Sequence, residues 1–369
     1  MTKSKFQVCF LYLYYDKNLN ILKQFFLKTL NYLEDQKKCR ALVLSGGGDK
    51  GSYQAAAFIE FTKKLAKEDI SYDVVAGVSV GSLNGSGLAT YKPGDEKEAA
   101  EWILGVWNDL TSSDVFTNWP GGLVEGILDE QGIFNNTNLE SFFKNKLGDR
   151  FIEKRITIGT ADMSTGTFQA YDYYSTNLTQ DYVNHVLAST AMPFAFPPLI
   201  DGNRTLLDGG VVWKMDIPGA IRRCKEIVQD EKDIIIDVIM TAQSFIETVE
   251  NIDKYTTLEH YIRSQEIKSF HADMKILNDT VIDHPDVNFR YILGPSVKLT
   301  ISPIPLDFSK KHLEFCMKIG KEDADRAIQL GPGGYMEVMM EYSRRTKKGE
   351  ILDMDQMIQQ KLDMLNKSD

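Results

Sequence analysis

The sequence predicts an α/β protein in which a mainly parallel sheet is covered by helices on both faces. Three observations point there. Ala41-Leu42-Val43-Leu44 is a short apolar run that stops at Ser45-Gly46-Gly47-Gly48 and passes into a helical stretch over residues 53–67. Residues 72–78 are again short and β-branched, break between Gly77 and Gly81, and lead into the small-residue stretch 82–90. Further strand candidates at 155–160, 167–171, 205–207, 234–240 and 297–301 alternate with helical patterns such as 98–110 and 137–147.

Length and composition fit that class. The 369 residues exceed the ~250–300 at which a single core usually stops growing, which implies one large domain or a domain with an appendage. Three parts are expected. Residues 1–39 are a leader followed by an amphipathic helix, in which Leu19, Leu22, Phe25, Phe26, Leu30 and Leu33 recur at spacings of three and four. Residues 40–244 are the α/β core, and 245–369 are a helix-rich continuation packed on it, with helices expected at 246–277, 309–330, 335–347 and 351–365. No internal repeat or low-complexity linker divides the chain. No run reaches the ~18 apolar residues of a spanning helix.

The formal charge of −10 disfavours broad attraction to nucleic acid or anionic headgroups. Cys9, Cys39, Cys224 and Cys316 form no CxxC pair, so neither a zinc site nor a redox pair is written, and the disulfide state stays open. Lys3 and Lys5 precede the apolar stretch 6–15 in the manner of a signal peptide, without a small-residue cleavage site before Asp16. With six glycosylation sequons, at Asn84, Asn135, Asn177, Asn203, Asn278 and Asn366, this leans toward the secretory pathway, a cytoplasmic location with peripheral membrane contact being the other reading. Asn84 lies inside the motif described next and is expected to carry no glycan.

Gly46-Gly47-Gly48-Asp49-Lys50-Gly51 satisfies GxGxxG between a strand and a helix, yet the dinucleotide reading fails at the following strand. That strand ends Gly77-Val78-Ser79, where a ribose-binding Asp or Glu would be needed, and Lys50-Gly51-Ser52 has the wrong order for a P-loop. A triple-glycine turn at a helix start exposes backbone N–H groups, so it binds negative charge, either a phosphate or an oxyanion. Gly77-Val78-Ser79-Val80-Gly81 is G-x-S-x-G at a strand-to-helix junction, the setting in which a serine is held on a tight, strained turn with the Val80 N–H and the helix dipole nearby. His185, His260, His271, His284 and His312 all read as solvated or structural rather than as the base. Leu206-Leu207-Asp208-Gly209-Gly210 instead places a carboxylate where an apolar strand stops at two glycines.

In combination these motifs resemble the patatin-like phospholipase family. Ser79-Val80-Gly81-Ser82-Leu83-Asn84-Gly85 is similar to its S-x-G-x-L-N-[AG], and Ser189-Thr190-Ala191-Met192-Pro193 through Phe196-Pro197-Pro198 to its S-x-A-x-P-x-x-F-P-P, ahead of the Asp-Gly-Gly. The resemblance covers residues 40–224 and implies a three-layer α/β/α fold with Ser79 as nucleophile and Asp208 as base. It also implies an oxyanion hole from Gly46, Gly47, Gly48 and Val80, supported by Lys50, Gly51, Gly77, Gly81, Gly209 and Gly210. Lys50 either orients the loop, meets lipid phosphate or is simply solvated; Ser45 and Asp49 are given no role. Residues 192–200 line an acyl channel or pack beneath the dyad. The expected activity is hydrolysis of carboxylic esters in phospholipids or related lipids at a membrane or micelle surface, with no cofactor, metal, nucleotide or nucleic acid. The rival readings are a lysophospholipid or neutral-lipid hydrolase, an acyltransferase, and an idle lipid-binding protein.

Overall fold

The structure is a computed structural model and describes residues 37–300 and 304–367. The leader at 6–15, the amphipathic helix at 19–33 and Cys9 lie outside the described residues. In chain order the main elements are β1 (Cys39–Leu44), α1 (Gly51–Lys64), β2 (Val74–Val78), α2 (Val80–Ala89), α3 (Glu96–Asp109), α4 (Ser112–Val115), α5 (Gly122–Leu128), α6 (Thr137–Leu147), β3 (Phe151–Ile152), β4 (Arg155–Asp162), β5 (Thr167–Tyr173) and β6 (Thr176–Asn177). They continue as α7 (Gln180–Thr190), β7 (Leu199–Asp201), β8 (Arg204–Asp208), α8 (Ile217–Cys224), β9 (Ile234–Ile239), α9 (Thr257–Asp283), β10 (Asn288–Leu293), α10 (Lys310–Leu330), α11 (Gly334–Thr346) and α12 (Met354–Leu365).

The fold is a three-layer α/β arrangement around a sheet ordered β10-β9-β1-β2-β4-β8-β7, with β5 also on β4. β10, β9, β1, β2 and β4 run parallel, while β5, β7 and β8 are antiparallel to their neighbours. β2 is buried throughout and β1 at every residue but Arg40, which is why both read as continuous apolar runs rather than alternating ones. One detail of register positions the site. β2 pairs with β4 as far as Val78↔Gly159, and β8 takes up the same edge of β4 one residue later, at Asp208↔Thr160. The residue after Val78 and the last residue of β8 are thereby brought side by side. Among the described residues no helix is long and apolar enough to cross a membrane.

Two element assignments change after Ser244. Residues 297–300 carry no strand; the strand of that region is β10, which extends the sheet beyond β9. Its Arg290 hid it from a hydropathy reading, and that charge is neutralised by buried Asp237 of β9, which also accepts the Tyr291 N–H at 2.9 Å and the Tyr72 hydroxyl at 2.6 Å. The helix expected from 246 begins only at Thr257. Thr256 and Glu259 form a capping box there, with Thr256 N–H donating to Glu259 at 2.7 Å, and left-handed Asn251 (φ 54°) turns the preceding chain.

The C-terminal helices pack on the core through polar as well as apolar contacts. Gly320 of α10 lies against the Tyr53 carbonyl with no room for a Cβ, and Tyr53 donates its hydroxyl to Asp323 at 3.2 Å. Cys39 and Cys224 form a disulfide that joins the start of β1 to the end of α8; Cys316 is a buried free thiol on α10.

Candidate active site

Ser79 stands between β2 and α2 with φ 55° and ψ −128°, a conformation costly for a residue with a Cβ. The surroundings impose it. Its N–H donates to Ser189 Oγ at 2.8 Å, Ser189 Oγ donates in turn to Gly159 O at 2.6 Å, and the Ser79 carbonyl accepts from the Ser82 N–H at 2.8 Å and the Ser82 hydroxyl at 2.6 Å. The flanking glycines allow the close approach: a Cβ on Gly77 would fall 2.5 Å from Gly81 O, and one on Gly81 would overlap Leu44 O. Asn84 is buried, donating to Gly51 O at 3.0 Å and accepting from Trp107 Nε1 at 2.8 Å, which leaves no place for a glycan.

Asp208 is buried beside this elbow, lining the same cavity as Ser79, and its carboxylate accepts the Gly210 N–H at 2.8 Å. Burial pushes its pKa up to about 6, against the opposing pull of Ser79, the Gly210 N–H and the Lys214 charge. Gly209 packs on the Gly159 carbonyl, where a Cβ would come within 2.6 Å.

The glycine loop faces the same point. Gly48 has φ 61°, and its neighbour Asp49 donates its N–H to Pro305 O at 2.9 Å. The N–H groups of Gly47 and Gly48 have no acceptor among the described residues, and Val80 supplies the first amide of α2, which has no partner within the helix. Gly46 is a correction to the expected donor set: its N–H is taken by Lys214 O at 3.1 Å, and its own carbonyl accepts from Thr241 Oγ1. Gly46 therefore fixes the loop rather than offering a free donor. Gly51 opens α1 against Val80 and Trp107, where a Cβ has no space.

Two cavities meet at Ser79 and share Gly48 and Met192. One is a narrow apolar cleft bounded by Leu83, Trp107, Phe143, Phe196 and Phe308; the other is polar and reached by Lys50, Asp208 and Lys214. The stretch 192–200 is divided between these roles, with Met192 and Phe196 on the cleft and Ile200 63% exposed on β7. None of the five histidines bonds Ser79 or Asp208. His185 stacks on Tyr171 at 3.5 Å, His284 contacts Glu231 at 3.1 Å, His260 packs on Tyr255 and His271 on Phe270.

His312 of α10 differs. Its Nε2 lies 3.4 Å from Asp49 Oδ2 and 3.5 Å from Cys316 Sγ, so it holds the fully buried Asp49 of the glycine loop, which also accepts the Asp307 N–H at 2.8 Å. The hydrogen bond to Asp49 raises the His312 pKa to about 10. Among the described residues no three His, Cys, Asp or Glu side chains converge as they would to hold a metal ion.

The profile of the patatin-like phospholipase family matches residues 42–221. That stretch, just under half of the chain, is a patatin-like phospholipase domain. A patatin-like phospholipase domain-containing protein of Caenorhabditis elegans is 25% identical over 80% of this chain and 21% of its own length. A cGAMP-activated phospholipase of Escherichia coli is 27% identical over 48% of this chain and 53% of its own. The chain thus spans about a fifth and about half of these curated relatives. Among solved structures, VipD from Legionella pneumophila aligns with a TM-score of 0.34 at 12% identity, covering 89% of this chain and 80% of that one. The matched patatin-like span contains the glycine loop, the elbow, the Ser189–Pro198 segment and the Asp-Gly-Gly turn.

Proposed function

We propose that this protein is a lipid acyl hydrolase that cleaves carboxylic esters through a Ser79–Asp208 dyad. The observation that carries the reading is the placing of a serine on a strained elbow beside a buried carboxylate, at the junction of an apolar and a polar cavity. The acyl chain enters the apolar cleft and the alcohol portion lies in the polar cavity. Ser79 Oγ attacks the carbonyl carbon while its proton passes to Asp208; the carboxylate is too weak to remove it beforehand, so transfer accompanies attack. The N–H groups of Gly47 and Gly48, with Val80, stabilise the tetrahedral oxyanion, each donor contributing about 3–4 kcal/mol. Collapse breaks the ester C–O bond, the departing alkoxide takes the proton from Asp208, and water then hydrolyses acyl-Ser79 with Asp208 accepting its proton.

The test is fatty-acid release from mixed phospholipid vesicles by wild type, Ser79→Ala and Asp208→Asn, with circular dichroism to establish folding. Each folded variant is expected to lose at least ~10³-fold. Retention of the wild-type rate by Ser79→Ala defeats the dyad reading, and a wild type inactive on every acyl lipid makes lipid binding the better account.

A further inference from the structure

We propose that Asp49 and His312 are positioning residues for the oxyanion donors: α10, outside the matched domain, holds the glycine loop in the shape that aims the Gly47 and Gly48 N–H groups. This inference rests on the hydrolase reading above and gives residues beyond 221 a part in that site.

Conformational freedom supplies the first argument. Gly46, Gly47 and Gly48 have no side chains with which to fix their own torsions, and glycine adopts either sign of φ about equally well. Oxyanion donors stabilise charge only when they are aimed before it develops. The aim must therefore come from the flanks. Upstream, Gly46 is fixed by Lys214 O and Thr241 Oγ1, and Gly47 has no room for a Cβ beside Thr241. Downstream, the anchor is Asp49. Its N–H donates to Pro305 O at 2.9 Å, and its Oδ2 accepts the Asp307 N–H at 2.8 Å and lies 3.4 Å from His312 Nε2. Gly48 is pressed on the same strap, since a Cβ there would overlap Pro305 O. These contacts come from residues 305–312, which lead into α10, and α10 is seated on α1 through Gly320 and Tyr53.

Charge supplies the second. Asp49 is fully buried, and its Oδ1 has no hydrogen-bond partner among the described residues. Stability is a poor reason for such a pair, because desolvation offsets the attraction and an apolar pair of similar volume often does as well. What the pair adds is direction. It also meets an electrostatic need, since a bare carboxylate next to Gly48 would oppose an oxyanion forming on the neighbouring amides. The hydrogen bond to Asp49 raises the His312 pKa to about 10, so an imidazolium cancels that charge at neutral pH.

The experiment uses the full chain and a short soluble ester, with wild type, Asp49→Asn, His312→Gln and the double variant. kcat, KM and affinity for a trifluoromethyl ketone are measured well below each unfolding midpoint. The ketone adds to Ser79 Oγ as a hemiketal whose oxyanion occupies the same donors, so its binding follows the aim of the loop. His312→Gln is expected to lower kcat and ketone affinity together by about 10- to 100-fold, with KM within about 2-fold of wild type, as a displacement near 1 Å does. The double variant should lose at least about 3-fold less than the product of the single losses. A kcat unchanged in folded His312→Gln, a kcat lost with ketone affinity intact, or single losses that simply multiply would each overturn the proposal. If His312→Gln fails to fold, Asp49→Asn, which conserves shape, carries the same two readings.

Tyr53→Phe separates positioning from general loosening. It removes the hydroxyl that α1 gives to Asp323 of α10 and touches nothing in the glycine loop, so its kcat should stay within about 2-fold of wild type. A loss as large as that of His312→Gln would make the effect mere destabilisation and refute the assignment. If wild type hydrolyses no ester, the hydrolase reading falls by itself. Hydrogen exchange at the Asp49 amide then reads the loop directly: exchange at least ~10-fold faster in His312→Gln, with Tyr53→Phe close to wild type, supports the anchor, and equal rates refute it.

Discussion

Ser189→Ala removes the group that holds the elbow from behind, and its effect follows from two contacts. Ser189 is fully buried, and its Oγ accepts the Ser79 N–H at 2.8 Å while donating to Gly159 O at 2.6 Å. Alanine leaves a void of one oxygen atom, too small for a replacement water. A buried donor left unmade costs about 1–3 kcal/mol, and the lost bond to Gly159 O about 1 kcal/mol more, so destabilisation of about 2–4 kcal/mol is expected. The strained torsions of Ser79, worth about 1–3 kcal/mol, persist only while neighbours impose them, so the elbow relaxes in the variant. A displacement near 1 Å costs on the order of 10²-fold in rate. Urea unfolding should show a lower midpoint at unchanged slope, and the folded variant a kcat reduced about 10- to 100-fold. Stability within about 0.5 kcal/mol of wild type together with an unaltered kcat would refute the reasoning, because the elbow would then hold without this brace.

Two further outcomes are expected. With Asp208 as the proposed ionised base and burial pushing its pKa up to about 6, kcat/KM on a soluble ester should fall as pH drops through 6, to roughly a tenth of its plateau at pH 5; a profile flat down to pH 4.5 contradicts the assignment. His312→Gln should lower stability by about 2 kcal/mol, as for a hydrogen bond to a charged group. The histidine pKa rises on folding from 6.5 to about 10, so the contribution is fully present below pH 6.5 and is lost as pH rises through 10. A wild-type-to-variant difference in unfolding free energy that grows with pH would reverse the sign and exclude the Asp49 pairing as its cause.

Much of the fold and site was legible because it is local. Residues 41–48 and 74–81 each contain a strand, its glycine turn and the start of a helix, so hydropathy and glycine placement suffice to read them. The same holds for Leu206 to Gly210. What escaped lies in contacts distant in sequence. His312 sits beside lysines and looks solvated, and Asp49 looks like one more loop carboxylate; only the docking of α10 joins them. Gly46 loses its donor to Lys214 O, a contact between loops far apart in sequence that no motif records. β10 was hidden because Arg290 breaks the apolar pattern, and the charge makes sense only beside Asp237. The strand expected at 297–301 failed for the opposite reason, since a short apolar run does not by itself find a neighbour to pair with.

The Cys39–Cys224 bond gives the chain a topology with its own consequence. The glycine loop, Ser79 and Asp208 all lie inside the covalent ring that it closes. A protease cutting an exposed turn within the ring, such as residues 163–166, would leave the pieces bearing Ser79 and Asp208 chemically one molecule, unable to diffuse apart. Under a reductant the same cut would leave Ser79 and Asp208 on separate chains. Where the protein meets proteases, the redox state of its surroundings therefore decides whether a backbone break is a scar or a dissection.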